Sequence, residues 1–143
     1  MPTPLVPRLN GVVETVLYVD DLARAVAFYR DVLGLTTIAG DDTRFQVFDT
    51  GASRVLLLFK RGSTLEPTPV PGGIIPPHDG SGPGHVGLAI AHGDYDAWLG
   101  RLRACAVAIE SETNWPRGGR SLYFRDPDGH LLELVTPGIW SVY

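Results

Sequence analysis

A duplication constrains this chain more than any other feature of its sequence. Glu14-Thr-Val-Leu-Tyr-Val19 is a short β-branched and aromatic run, followed by Asp20-Asp21 as a helix start signal. Leu22, Val26, Tyr29 and Leu33 then recur at helical spacing, and Gly34 closes the helix. Seventy-one residues after Glu14, His85-Val-Gly-Leu-Ala-Ile90 has the same strand character. Asp94 is its helix N-cap, and Tyr95, Trp98, Leu99 and Leu102 form a second amphipathic stripe. Further on, Phe48 to Phe59 lies over Phe124 to Val135 at an offset of 76. Both read as hairpins, with turns at Gly51 and at Asp126-Pro-Asp-Gly129. The growth in offset places extra residues in the second copy, around Glu112 to Gly119.

The pattern predicts an α+β fold of two tandem βαβββ modules, each curling a small antiparallel sheet with one helix on its outer face. One domain is expected over residues 10–137, with module one at about 10–62 and module two at about 84–137. Between them, residues 63–83 are dense in Pro and Gly and read as a linker. With 44% apolar and 20% charged residues the chain can bury a core, which excludes wholesale disorder. Its net charge of −4, from scattered carboxylates and bases, argues against a nucleic-acid or anionic-membrane partner. No apolar run approaches a membrane span, no signal peptide is apparent, and the lone Cys105 cannot form an internal disulfide, so a cytoplasmic location is expected.

Strand alternation carries the chemistry. Val86, Leu88 and Ile90 share one face, leaving His85, Gly87 and Ala89 on the other, and by the same register Glu14, Val16 and Tyr18 point away from the helix of module one. In the last strand Glu133 shares the outer face with Leu131 and Val135, so it stands among aliphatics and needs a partner. Taken singly, each has an ordinary reading: Glu133 at a solvated edge or beside an arginine, His85 as a satisfied turn histidine, Glu14 as an exposed strand residue. The repeat puts Glu14 and His85 at equivalent positions, and a pseudo-twofold pairing of the sheets would bring both to one concave face with Glu133. Two carboxylates and an imidazole suit a divalent ion such as Zn²⁺, Mn²⁺, Ni²⁺ or Mg²⁺ with positions left open.

The stretch Glu14 to Leu35, Gly84-His85, and Phe124-Arg-Asp-Pro-Asp-Gly-His-Leu-Leu-Glu-Leu134 resemble the vicinal oxygen chelate superfamily, which includes glyoxalase I, fosfomycin-resistance and bleomycin-resistance proteins and extradiol dioxygenases. The resemblance implies a cup whose metal is held by first- and fourth-strand residues. Carried over, the ligand places fall on Glu14, His85 and Glu133, and the fourth on Leu57, which cannot bind a metal. That vacancy departs from glyoxalase I. A His/Glu/Glu set also differs from the two-His, one-carboxylate triad of O₂-activating iron, which lowers oxygen chemistry in rank.

Ser121 to Glu133 looks like the matching stretch of fosfomycin-resistance transferases, in which the Tyr ten residues before the Glu contacts substrate; Tyr123 holds that place. Ser121, Tyr123 and Arg125 alternate onto the cup side or its rim, Arg120 and Arg125 are candidates for an anionic group, and Trp115 for a substrate wall. The expectation is a homodimeric enzyme dependent on a divalent ion (Zn, Ni, Mn, Mg or Fe) acting on a small oxygen-rich substrate. Its type is lyase, isomerase or thiol transferase; Glu14, His85 and Glu133 are metal ligands, and Glu133 and Tyr123 are catalytic. Tyr123, Arg120, Trp115 and Ser121 contact substrate, and in such dimers modules often pair across the subunit interface. A metal-free binding protein like those of bleomycin resistance, and an extradiol-type dioxygenase, are the alternatives. His78, His92 and His130 lack spacing partners and are expected to have no chemical role.

Overall fold

The computed structural model describes all 143 residues. Module one runs β1 (Glu14–Val19), α1 (Leu22–Asp31), β2 (Thr36–Gly40), β3 (Phe45–Gly51) and β4 (Arg54–Lys60). A short hairpin follows, β5 (Thr68–Val70) and β6 (Gly73–Ile75). Module two repeats the first order as β7 (His85–Ala89), α2 (Tyr95–Ala104), β8 (Ser111–Asn114), β9 (Arg120–Arg125) and β10 (Leu131–Val135). The two four-stranded sheets have matching orders, β1-β4-β3-β2 and β7-β10-β9-β8, so β1 and β7 are both edge strands. Each first strand runs parallel to the last strand of its module, and the other pairings are antiparallel.

The duplicated βαβββ reading holds, with three local corrections. The 63–83 segment is not a plain linker, because Thr68 to Val70 pairs with Gly73 to Ile75. Asp94 ends a 3-10 turn, His92–Asp94, and its side chain caps nothing, whereas Asp21 accepts from the Arg24 amide at 3.0 Å as expected of an N-cap. Extra length in module two enters mainly before β8, in that turn and in the connection from Ala104 to Ser111, rather than in Glu112 to Gly119.

Leu17 and Val19 of β1, Leu56 and Leu58 of β4, and Leu132 and Leu134 of β10 point inward together with Tyr29 and Leu102 of the helices. They form one continuous core across both modules, which therefore meet through their helix-covered faces. Polar ties reinforce that joint. The His130 Nδ1 accepts from the Gly84 amide at 2.7 Å, and Nε2 donates to the Tyr18 carbonyl at 2.7 Å. Tyr29 Oη donates to Asp126 Oδ2 at 2.7 Å, and the Arg101 guanidinium from α2 satisfies the carbonyls of Asp31 and Val32 where α1 ends. With the helix sides buried, the opposite sheet faces look outward.

Candidate metal centre

On the outward face of module two, Glu133 in β10 lies between β7 and β9, opposite Gly87 and Tyr123. It is only 7% exposed, and a carboxylate at that depth requires donors or a cation. Its Oε2 accepts from Ser121 Oγ and, at 3.2 Å, from Tyr123 Oη. Trp115 Nε1 donates to Ser121 Oγ at 2.7 Å, extending the chain to the loop after β8. Burial, and the nearby Glu133 charge, push the Tyr123 phenol above its ordinary value, partly offset by Ser121, so Tyr123 is held as a donor at neutral pH.

The other carboxylate oxygen, Oε1, faces His85 Nε2 at 3.3 Å. His85 Nδ1 lies 2.9 Å from the Leu131 carbonyl, which can only accept, so Nδ1 carries the hydrogen and a neutral imidazole turns the Nε2 lone pair toward Glu133. Two electron-rich atoms at this separation call for a cation between or beside them, a proton on Nε2 or a bound metal ion. With ligand bonds of about 2.1 Å, adjacent ligand atoms of one ion lie roughly 3.0–3.4 Å apart. The pair therefore fits a divalent ion, and the backbone carbonyl that fixes the tautomer is the usual support of a ligating histidine.

Glu14 does not join them. It is exposed at the start of the other sheet's edge strand, and no group of three His, Cys, Asp or Glu side chains in the chain is arranged to hold a metal. Ser121 and Tyr123 are brought to Glu133 as the strand pattern implied, and Trp115, in the loop after β8 and expected at a substrate wall, reaches Ser121 instead. Arg120 is not: expected to bind substrate, it lies 3.6 Å over the Tyr95 ring on the helix side of β9, because it shares its face with Leu122 and Phe124. Arg125 is engaged by Glu110 at 2.7 Å and 2.9 Å.

Two features escaped the sequence reading. His78 folds over the outward face of module one, with Nδ1 2.6 Å from Tyr18 Oη and its ring edge-on to Phe59. The segment after β10 also curls back, so that Ile139, Trp140 and Tyr143 line one cavity with His85 and Glu133.

The family's sequence profile, described as Glyoxalase/Bleomycin resistance protein/Dioxygenase superfamily, matches residues 11–134. Among curated proteins, the glutathione transferase FosA of Serratia marcescens is 31% identical over 118 residues, covering 82% of this chain and 74% of that protein. The metallothiol transferase FosB of Staphylococcus haemolyticus is 26% identical over 129 residues, 90% of this chain and 84% of that protein. Among solved structures, a lactoylglutathione lyase from Agrobacterium tumefaciens superposes with a TM-score of 0.85 at 32% identity, over 94% of this chain and 99% of that one. By fold and by sequence, the chain belongs to the glyoxalase/bleomycin resistance/dioxygenase superfamily, the vicinal oxygen chelate proteins.

Proposed function

We propose that the protein is a divalent-metal-dependent lyase or transferase acting on a small substrate with two adjacent oxygens. His85 and Glu133 of one chain and Glu14 of a second copy would hold the ion. The observation that carries this reading is the His85–Glu133 pair, a fixed tautomer facing a buried carboxylate. A thiol-transferase or lyase chemistry is favoured by the likeness to FosA, FosB and the lactoylglutathione lyase. Pairing with a second copy is supported by the outward site faces, the unpaired edges of β1 and β7, and the exposure of Val12 and Val13 beside β1.

A divalent ion there would polarise the substrate oxygens and stabilise negative charge as it develops on them. The chain's own groups do the rest. Tyr123 Oη and Ser121 Oγ neutralise one oxygen of Glu133 and fix its plane, leaving the other toward His85. Tyr123 Oη has one hydrogen, held by Glu133 in the resting site, and would donate it to a substrate oxygen by turning away from the carboxylate. Glu133 Oε1, the carboxylate oxygen that Ser121 and Tyr123 leave free, would be the group to accept a proton from substrate. Leu57 stands where a further donor would sit, so that position is left to water or substrate.

The test is metal binding in mixtures. Wild-type protein is expected to bind one Mn²⁺ or Zn²⁺ per chain by elemental analysis, and Glu133→Ala and Glu14→Ala each to lose it. Randomly mixed and refolded, the two variants should regain about a quarter of the wild-type sites, because only mixed dimers carry one intact set. No regain would overturn the shared site, and no stoichiometric metal in wild type would overturn the metal reading. An imidazolium–carboxylate ion pair in a metal-free binding protein is the second reading; the 3.3 Å separation also suits it, and the same titration decides.

A further inference from the structure

Beyond the ligand pair, the cavity it opens into is shaped by the segment after β10. Residues 138–143 form a closed ring: the amides of Gly138, Ile139 and Trp140 all donate to the backbone oxygen of Tyr143, at 3.1, 3.2 and 3.1 Å. Tyr143 Oη donates to the Val135 carbonyl at 2.8 Å, tying the ring to the site strand. On its other side the ring is pressed onto the loop that follows β8. Gly138 has a φ of +107°, and a Cβ there would lie 2.6 Å from the Gly119 nitrogen, so both glycines are required for the contact. This segment is a built wall.

The cavity of about 350 Å³ has His85 and Glu133 at one end and Ile139, Trp140 and Tyr143 at the other. Between them the floor is formed by Gly87 and Ala89, which leave the space free. Trp140 is 67% exposed although its backbone is held, an arrangement that keeps a large apolar surface in water with nothing of its own chain upon it. No other residue lining the cavity presents an aromatic surface of that size. We propose that the 138–143 ring is a substrate-sorting subsite, with Trp140 receiving a flat, phenyl-sized apolar group attached next to the two oxygens that His85 and Glu133 address. The inference rests on the metal reading for the oxygen end alone; the aromatic end is independent of it.

Two hydroxamates with the same chelating head and different tails separate these parts. Calorimetric titration of Mn²⁺-loaded and of metal-free protein with benzohydroxamate and acetohydroxamate reads the tail preference in each. Wild-type protein should prefer benzohydroxamate by about tenfold, the scale expected for burying a phenyl face on an indole. Trp140→Ala should reduce that preference to within about twofold while acetohydroxamate affinity and bound Mn²⁺ stay unchanged, and Trp140→Phe should retain most of it. If Mn²⁺ fails to bind but a Trp140-dependent preference persists in the metal-free protein, the subsite stands and the metal reading falls. A wild type without preference, including one that binds neither hydroxamate, or a preference that survives Trp140→Ala, overturns the proposal.

Discussion

The two modules share one strand order but differ on their outward faces. In module two that face is hollow and polar at one point, with Glu133 fixed by Ser121 and Tyr123 and flanked by the side-chain-free Gly87. In module one the corresponding face holds Leu57 in the fourth strand and is covered by the segment after β6, where His78 rests on Tyr18 and Phe59. Gly80 presses so closely that a Cβ would meet the Tyr18 ring at 2.4 Å. Duplication thus supplied two equivalent scaffolds; one developed a carboxylate with a complete set of donors, and the other filled the same position with apolar packing.

If the modules depend on one another through the His130 ties, His130→Ala should have the largest effect on stability. It strands the Tyr18 carbonyl and the Gly84 amide and opens a buried space, for an expected loss of about 2–4 kcal/mol in denaturant unfolding. A loss below roughly 1 kcal/mol would show that the apolar core alone joins the halves.

If only module two carries a prepared site, Ser121→Ala should be felt there. Removing one donor to the carboxylate should weaken Mn²⁺ binding about tenfold and, because it leaves Glu133 Oε2 and Trp115 Nε1 short of a partner, cost about 1–2 kcal/mol in unfolding. His78→Ala, the module-one counterpart, should leave Mn²⁺ affinity within about twofold and cost about 1 kcal/mol or less, since it removes a part-buried hydrogen bond and ring contacts. An equal effect of both variants on metal affinity would mean that both outward faces support the ion.

Alkaline pH tests module two through the Tyr95 phenol. Burial, with Glu112 accepting its proton, pushes the Tyr95 phenol up to about 12. The folded protein therefore holds this proton more tightly than the unfolded chain, and stability should fall as pH rises from about 10 toward 12. Tyr95→Phe should flatten that decline in thermal unfolding measured across the interval.

How far the sequence discloses all this depends on periodicity. The modules are legible because Leu17, Val19, Leu56, Leu58, Leu132 and Leu134 alternate strictly, and one buried face fixes each register. The same alternation sets Glu133, Tyr123 and Ser121 on one side, and it also contains the correct place of Arg120, beside Leu122 and Phe124 rather than beside Tyr123. The β5–β6 hairpin is hidden by Pro69 and Gly73 in strands of three residues, too short to show a period. Ile139, Trp140 and Tyr143 follow no period at all; their position comes from a ring closed by backbone bonds, for which Gly138 was the single local signal. Only the symmetry of the repeat offers Glu14 as a ligand, since within one chain it joins no group of metal-ligating side chains.

The Gly119–Gly138 contact couples two tryptophans. Because the loop after β8 and the ring are clamped backbone to backbone, Trp115, which reaches Glu133 through Ser121, and Trp140, at the cavity mouth, are mechanically one piece.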